Sequence, residues 1–229
     1  MEKITVKELV EFREKTSDKS KRNFAQKLKL RKPKEKVDGK KDGGGNYWSI
    51  SNSCIQNVFK DKNEDYYDSK IEKVIQKKEN EERQRYKIMY QRNIDILNNF
   101  KEFDILNLRP NNIQNFESIH KDQKIIPINN FPIYLNPNLI FTFERNGKIE
   151  IGGIILISQL DGYKKSQLGM FCEMLSMFLM SNFSENYQIA EDYCIAIDTF
   201  LSQTITYSDL SNGKIPSLIF STIEDIKKL

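Results

Sequence analysis

The stretch LIFTFERNGKIEIGGIILI, Leu139 to Ile157, decides how this chain folds. Two apolar runs flank Asn146-Gly147, a pair whose residues both tolerate positive φ. That is the strongest short-range signal for a two-residue β-hairpin turn. The first run, LIFTF from Leu139 to Phe143, reads as a strand. The second ends in GGIILI, which is apolar at successive positions and therefore reads as a central strand covered on both faces. Gly152 and Gly153 lie inside that strand, and neither GxGxxG nor GxxxxGKT occurs. The glycine pair predicts close packing or a bulge, not a phosphate loop.

C-terminal to the hairpin, Lys165 to Phe183 has helical period, with Leu168, Phe171, Cys172, Leu175, Phe178 and Leu179 on one broad face. Met170, Met174, Met177 and Met180 flank it. A Met-rich helix predicts a core element; the alternative is a partner-binding or self-association surface at Met170, Met174 and Met177. Tyr193 to Phe200, Thr204 to Tyr207 and Ser217 to Phe220 read as further strands, followed by a short helix from Ile223. Asp198, in CIAIDTF, reads as the solvent-side acid of an alternating strand; the alternative is an inward-facing functional acid.

On the N-terminal side, KIIPI from Lys124 to Ile128 predicts an edge strand, since Pro127 removes one ladder donor. A polar helix is expected from about Tyr66 to Asn99. Its apolar stripe fails in the charged QKKENEERQRYK, so the helix is exposed there or split in two. Ser51 or Ser53 is the expected cap of a shorter helix bearing Ile55, Val58 and Phe59. Tyr47 and Trp48 read as the first anchors of the main core. The fold class is α+β: a mixed sheet with packed helices in residues 46–229, preceded by a basic, partly helical arm and Gly-rich linker in residues 1–45.

Charge separates those two parts. From Asp18 to Lys41 the chain carries eleven Lys or Arg against three acids, a net of +8, whereas the whole protein is only +4. The remainder therefore sums to −4. Lys19, Lys21, Arg22, Lys27, Lys29, Arg31, Lys32, Lys34 and Lys36, with Lys40 and Lys41 beyond them, suit non-sequence-specific contacts to phosphates. Phe24 is either a stacking platform or packing for its own helix. Short helices are expected at Val6 to Glu14, capped by Thr5, and at Ser20 to Leu28. RKPKEKVDGKKDGGG, Arg31 to Gly45, has too few apolar residues to offset the entropy of ordering and reads as a linker.

Few residues are suited to catalysis. His120 is the sole histidine and sits in the polar NFESIHKDQK, which reads as a solvated loop. Cys54, Cys172 and Cys194 are odd in number and far apart, so they predict buried reduced thiols rather than a disulfide framework or zinc site. No catalytic residue, metal or cofactor is assigned. The N-terminus lacks a signal-peptide core, and no window approaches an uncharged run of about 18 apolar residues. A cytoplasmic protein without membrane contact is expected.

The element order from residue 66 to 200 resembles the core of the PD-(D/E)XK nuclease-like superfamily: a leading helix, three strands, a helix and a further strand. That family's acid followed by E-x-K on the next strand has no intact match. Glu150 is the nearest acid, with Gly152, Gly153 and Ile154 where the charged pair belongs. The resemblance implies a catalytically inactive copy or a site assembled otherwise. The favoured expectation is a non-enzymatic accessory protein that meets nucleic acid through its basic arm and a protein partner, or itself, through its body. One alternative is a divalent-metal nuclease using Glu144, Glu150 or Asp198. Another is a regulatory subunit of a bacterial, antiviral defence system without nucleic-acid contact.

Overall fold

The computed structural model describes residues 2–32 and 47–229. The elements, in chain order, are β1 (Ile4–Thr5), α1 (Val6–Glu14), α2 (Asp18–Lys29), α3 (Ser49–Asp61), α4 (Asp65–Glu79), α5 (Gln84–Phe103), β2 (Ile113–Phe116), β3 (Ile125–Ile128), β4 (Phe131–Tyr134), β5 (Leu139–Arg145), β6 (Lys148–Ile157), α6 (Lys165–Phe183), β7 (Gln188–Asp198), β8 (Gln203–Thr206), α7 (Tyr207–Ser211) and α8 (Ile219–Lys228). This is the expected α+β class.

The Asn-Gly hairpin forms as read. Asn146 and Gly147 have φ of 55° and 73°, and β5 pairs antiparallel with β6 from Leu139↔Ile154 to Arg145↔Lys148. The central sheet has the order β2-β5-β6-β7-β8, with β6 in the middle. Only β6 and β7 are parallel there, and α6 is the crossover between them. A smaller sheet, β1-β4-β3, joins β1 to β4 in parallel, while β4 and β3 form a second hairpin. Its turn residues, Asn129 and Asn130, have φ of 49° and 68°. β3 is an edge strand carrying Pro127, as expected.

The central sheet is covered on both sides because its residues alternate between two cores. Phe141, Phe143, Ile154, Leu156, Ile195 and Ile197 face α3, α4 and α5. Ile140, Ile155, Ile157, Cys194 and Ala196 face the layer built on α6. The two glycines of β6 answer to both expected causes. A Cβ at Gly152 would lie 2.7 Å from Tyr193 Cβ and from Tyr193 O, and the β6–β7 register shifts between Ile151 and Gly153. At Gly153 the nearest atoms would be Leu139 O at 3.1 Å and Leu175 Cδ1 at 3.3 Å.

The polar helix expected from Tyr66 to Asn99 is split. α4 and α5 fold back as an αα-hairpin, with Lys101 Nζ reaching Asp68 and Lys78 Nζ reaching Gln91. Neither Ser51 nor Ser53 caps α3, which starts after Trp48. Instead the fully buried Asn93 of α5 accepts from Ser51 N at 3.0 Å and Ser51 Oγ at 2.9 Å. Its amide donates to Tyr47 O and Met89 O, both at 2.9 Å. A side chain borrowed from another helix thus does the work of a local cap.

Ser217 to Phe220 is not a strand. An apolar run of that length is ambiguous between strand and helix start. The run continues as Ile219, Ile223 and Ile226 on the buried side of α8. The first N–H groups there are met by Glu173, a buried acid of α6 that accepts from Leu218 N at 2.8 Å and Ile219 N at 3.0 Å. Burial pushes the Glu173 carboxyl up, although those two bonds pull against it.

The first thirty residues are not a free arm. Ile4, Val6, Leu9, Val10, Phe12, Ala25 and Leu28 are buried in the same core as α6 and α8. Thr5 and Glu8 form the capping box of α1, and Ser17 Oγ accepts from Ser20 N at 3.2 Å to cap α2. Leu9, Phe12, Ala25 and Leu28 are enough to anchor two short helices whose outer faces remain charged. The expected boundary at Gly43 to Gly45, and Lys34, Lys36, Lys40 and Lys41, lie outside the described residues.

Met170 and Met174 are buried at 1% and 0% exposure, and Met177 is half-buried. A partner surface at these three is therefore corrected to a core role. α6 lies between the central sheet and α1, α7 and α8, so nearly its whole circumference is enclosed. Among the described residues no helix is long and apolar enough to cross a membrane.

Candidate nucleic-acid interface

The candidate acids do not converge. Ile157 of β6 pairs with Asp198 of β7, whereas Glu150 lies seven residues earlier on β6. At about 3.3 Å per residue, Glu150 and Asp198 are roughly 23 Å apart along the sheet. They cannot share a cation.

Glu150 and Asp198 also have structural partners of their own. Arg145 Nε donates to Glu150 Oε1 at 3.1 Å, and the same guanidinium contacts both carboxylate oxygens of Asp192. The hydrogen bonds that Arg145 donates to Asp192 and Glu150 raise its pKa. Glu144 is exposed at the hairpin end, opposite Ile149. Asp198 is fully buried, not solvent-facing as the alternating pattern predicts. Its Oδ2 accepts from Tyr163 N at 2.6 Å, and Oδ1 accepts from Phe200 N at 2.9 Å and Leu201 N at 3.2 Å. The end of β7 is buried on both faces, so alternation carries no information there, and the acid serves two adjacent turns.

The histidine and the cysteines do not form a site either. His120 is exposed just before a 3-10 turn, where its backbone N–H donates to Gln123 Oε1 at 2.8 Å. Cys54, Cys172 and Cys194 are free and buried; desolvation pushes Cys54 up to about 11 and Cys194 up to about 12, which disfavours the thiolate. Among the described residues no three His, Cys, Asp or Glu side chains are grouped to hold a metal ion.

The basic residues are more informative. α2 is anchored by Ala25 and Leu28, which leaves Lys19, Lys27, Asn23 and half of Phe24 on its outer side. Together with Lys15 and Ser17 these residues line an open groove of about 430 Å³. Lys15 Nζ stands 5.1 Å from the Phe24 ring centroid and pairs with Glu11 at 2.9 Å. Lys19 and Lys27 have no ion-pair partner among the described residues. Phe24 packs partly on the core, and its remaining surface borders the groove.

The remaining sequence-selected cations divide by position. Arg22 and Lys32 are exposed. Lys21 lines a separate concavity with Phe12 and Asp225, and Lys29 Nζ donates to Lys227 O at 3.1 Å. Arg31 is committed to the fold: it pairs with Glu8 through both guanidinium nitrogens and donates to Lys3 O at 3.2 Å. Lys15 and Asn23 were not singled out from sequence. Lys15 sits C-terminal to α1, and only the turn between the two helices brings it beside Phe24.

The chain matches no family model, no curated protein and no solved structure at a significant level. The fold therefore defines an α+β protein whose best-formed sequence-predicted site is a basic groove on an anchored helix.

Proposed function

We propose that this protein is a non-enzymatic accessory factor that associates with nucleic acid through the outer face of α2 and the lysine-rich segment that follows it. The observation that carries this reading is the pairing of unneutralised Lys19 and Lys27 with a half-buried aromatic ring, Phe24, in one groove. Lysines neutralise phosphates whatever the base sequence, and an aromatic edge accepts any base by stacking. The +8 segment from Asp18 to Lys41 extends the same charge along the chain. Because α2 packs on the core through Ala25 and Leu28, its outer lysines are held on one face of the body.

Deleting the N-terminal residues is a poor test, since it would uncover the core that Leu9, Phe12 and Leu28 fill. Lys19→Gln/Lys27→Gln leaves the core intact. Anisotropy of a labelled single strand, titrated with salt, should show weaker binding and a log–log slope lower by about 1.5. An unchanged slope and affinity would overturn the role of this groove.

A further inference from the structure

On the other side of the central sheet from α2, helices α3, α4 and α5 enclose a larger concavity of about 560 Å³. Val74 and Ile50 give it an apolar lining, and Tyr90 of α5 borders it. Lys70, Lys73 and Lys77 of α4 also line it. Their i, i+3, i+7 spacing puts all three on one helix face, spread over roughly 10 Å of helix axis. None of the three has an ion-pair partner among the described residues. The acid in the lining, Glu81, is already held by Arg83, whose Nε lies 2.8 Å from Oε1 and whose Nη2 lies 3.2 Å from Oε2. Lys70 and Lys73 also border a second hollow of about 200 Å³ with Tyr66 and Ser69, so the concave surface continues past the lysine row.

We propose that this lysine-lined trough binds nucleoside phosphate, with the phosphates on Lys70, Lys73 and Lys77 and a base against Tyr90. An acidic peptide is the competing anionic ligand, and the lining favours phosphate. Lysine is a point charge that accepts either anion, so the discrimination rests on the rest of the lining. An aromatic ring beside an apolar floor offers a base something to stack on and gives a glutamate side chain nothing. The volume falls in the range of small-molecule sites, which suits a free nucleotide or one unit of a single strand. This site is independent of the α2 groove, because the sheet separates them.

The test uses the full chain already carrying Lys19→Gln/Lys27→Gln, so that the α2 groove does not dominate the signal. A labelled short oligothymidylate and a labelled oligoglutamate are titrated, and unlabelled thymidine monophosphate is added as a competitor. Lys70→Gln/Lys73→Gln/Lys77→Gln and, separately, Tyr90→Leu should each weaken oligothymidylate binding about tenfold, with Tyr90→Phe close to the parent. Competition by the mononucleotide supports a free-nucleotide ligand; failure to compete, with the strand still bound, supports a strand. Oligothymidylate binding unchanged by the lysine substitutions, or absent in the parent, overturns the proposal. So does oligoglutamate binding of equal strength that ignores Tyr90. The thermal melting point of each variant checks that these surface changes leave the fold intact. An unchanged salt slope for the α2 variant alone would sink only the α2 reading.

Discussion

Asp198 and Tyr163 are joined by a 2.6 Å hydrogen bond from the Tyr163 backbone N–H to the buried carboxylate, which fastens the turn before α6 to the end of β7. The same carboxylate holds Phe200 N and Leu201 N on the far side. Gly162 is part of this arrangement: it has φ of +71°, and a Cβ there would lie 2.2 Å from Leu201 Cδ1. Two turns at the carboxyl ends of the parallel strands are thus locked around one acid.

Replacing that acid separates a structural role from a catalytic one. Asp198→Ala strands three backbone donors, each costing about 1–3 kcal/mol where buried, so a loss of about 3 kcal/mol or more is expected in urea denaturation. Asp198→Asn keeps one acceptor oxygen and should lose clearly less. An acid retained for chemistry commonly strains the fold, so its removal is neutral or stabilising. A neutral or stabilising Asp198→Ala would contradict the structural assignment.

The glycine pair of β6 makes a graded prediction. Gly152→Ala pushes a methyl group to 2.7 Å from both the Cβ and the backbone oxygen of Tyr193, where the β6–β7 register shifts. Overpacking of this kind costs about 1–3 kcal/mol. Gly153→Ala meets Leu139 O at 3.1 Å and the movable Leu175 Cδ1 at 3.3 Å, so it should cost less. Paired thermal melts give the order, and an equal or reversed loss would place the constraint elsewhere.

How much of this was legible in the sequence depends on whether the cause is local. The Asn146-Gly147 turn and the two-faced burial of β6 are local, and both were readable. The turn Asn129-Asn130 carries a similar local signal, but Pro127 and Pro132 obscure the flanking strands. Residues 4–28 misled for a different reason: their charge count is high, yet a few apolar positions suffice once α6 and α8 supply the opposite wall. The lysines of α2 could be chosen from composition. The α4 trough could not, since Ile50, Lys73 and Tyr90 meet only when three helices pack.

Glu8 gives the fold a specific acid sensitivity. Burial opposes its ionisation, but the hydrogen bonds from Arg31 and from the Thr5 backbone N–H together outweigh it and hold the carboxyl below its usual 4.5. A folded pKa below the unfolded one means that the unfolded state takes up protons first as pH falls. The stabilisation is therefore complete above the unfolded value and is lost as pH drops through the folded one. Glu8→Gln removes this contribution while keeping a polar group that can still cap α1. The melting temperature of the parent should exceed that of Glu8→Gln near neutral pH, and the gap should narrow below about pH 4. Arg31→Gln should show the same convergence, because it removes the other half of the pair. A gap that is constant across the range would mean that Glu8 acts through its capping geometry alone, with its charge contributing nothing.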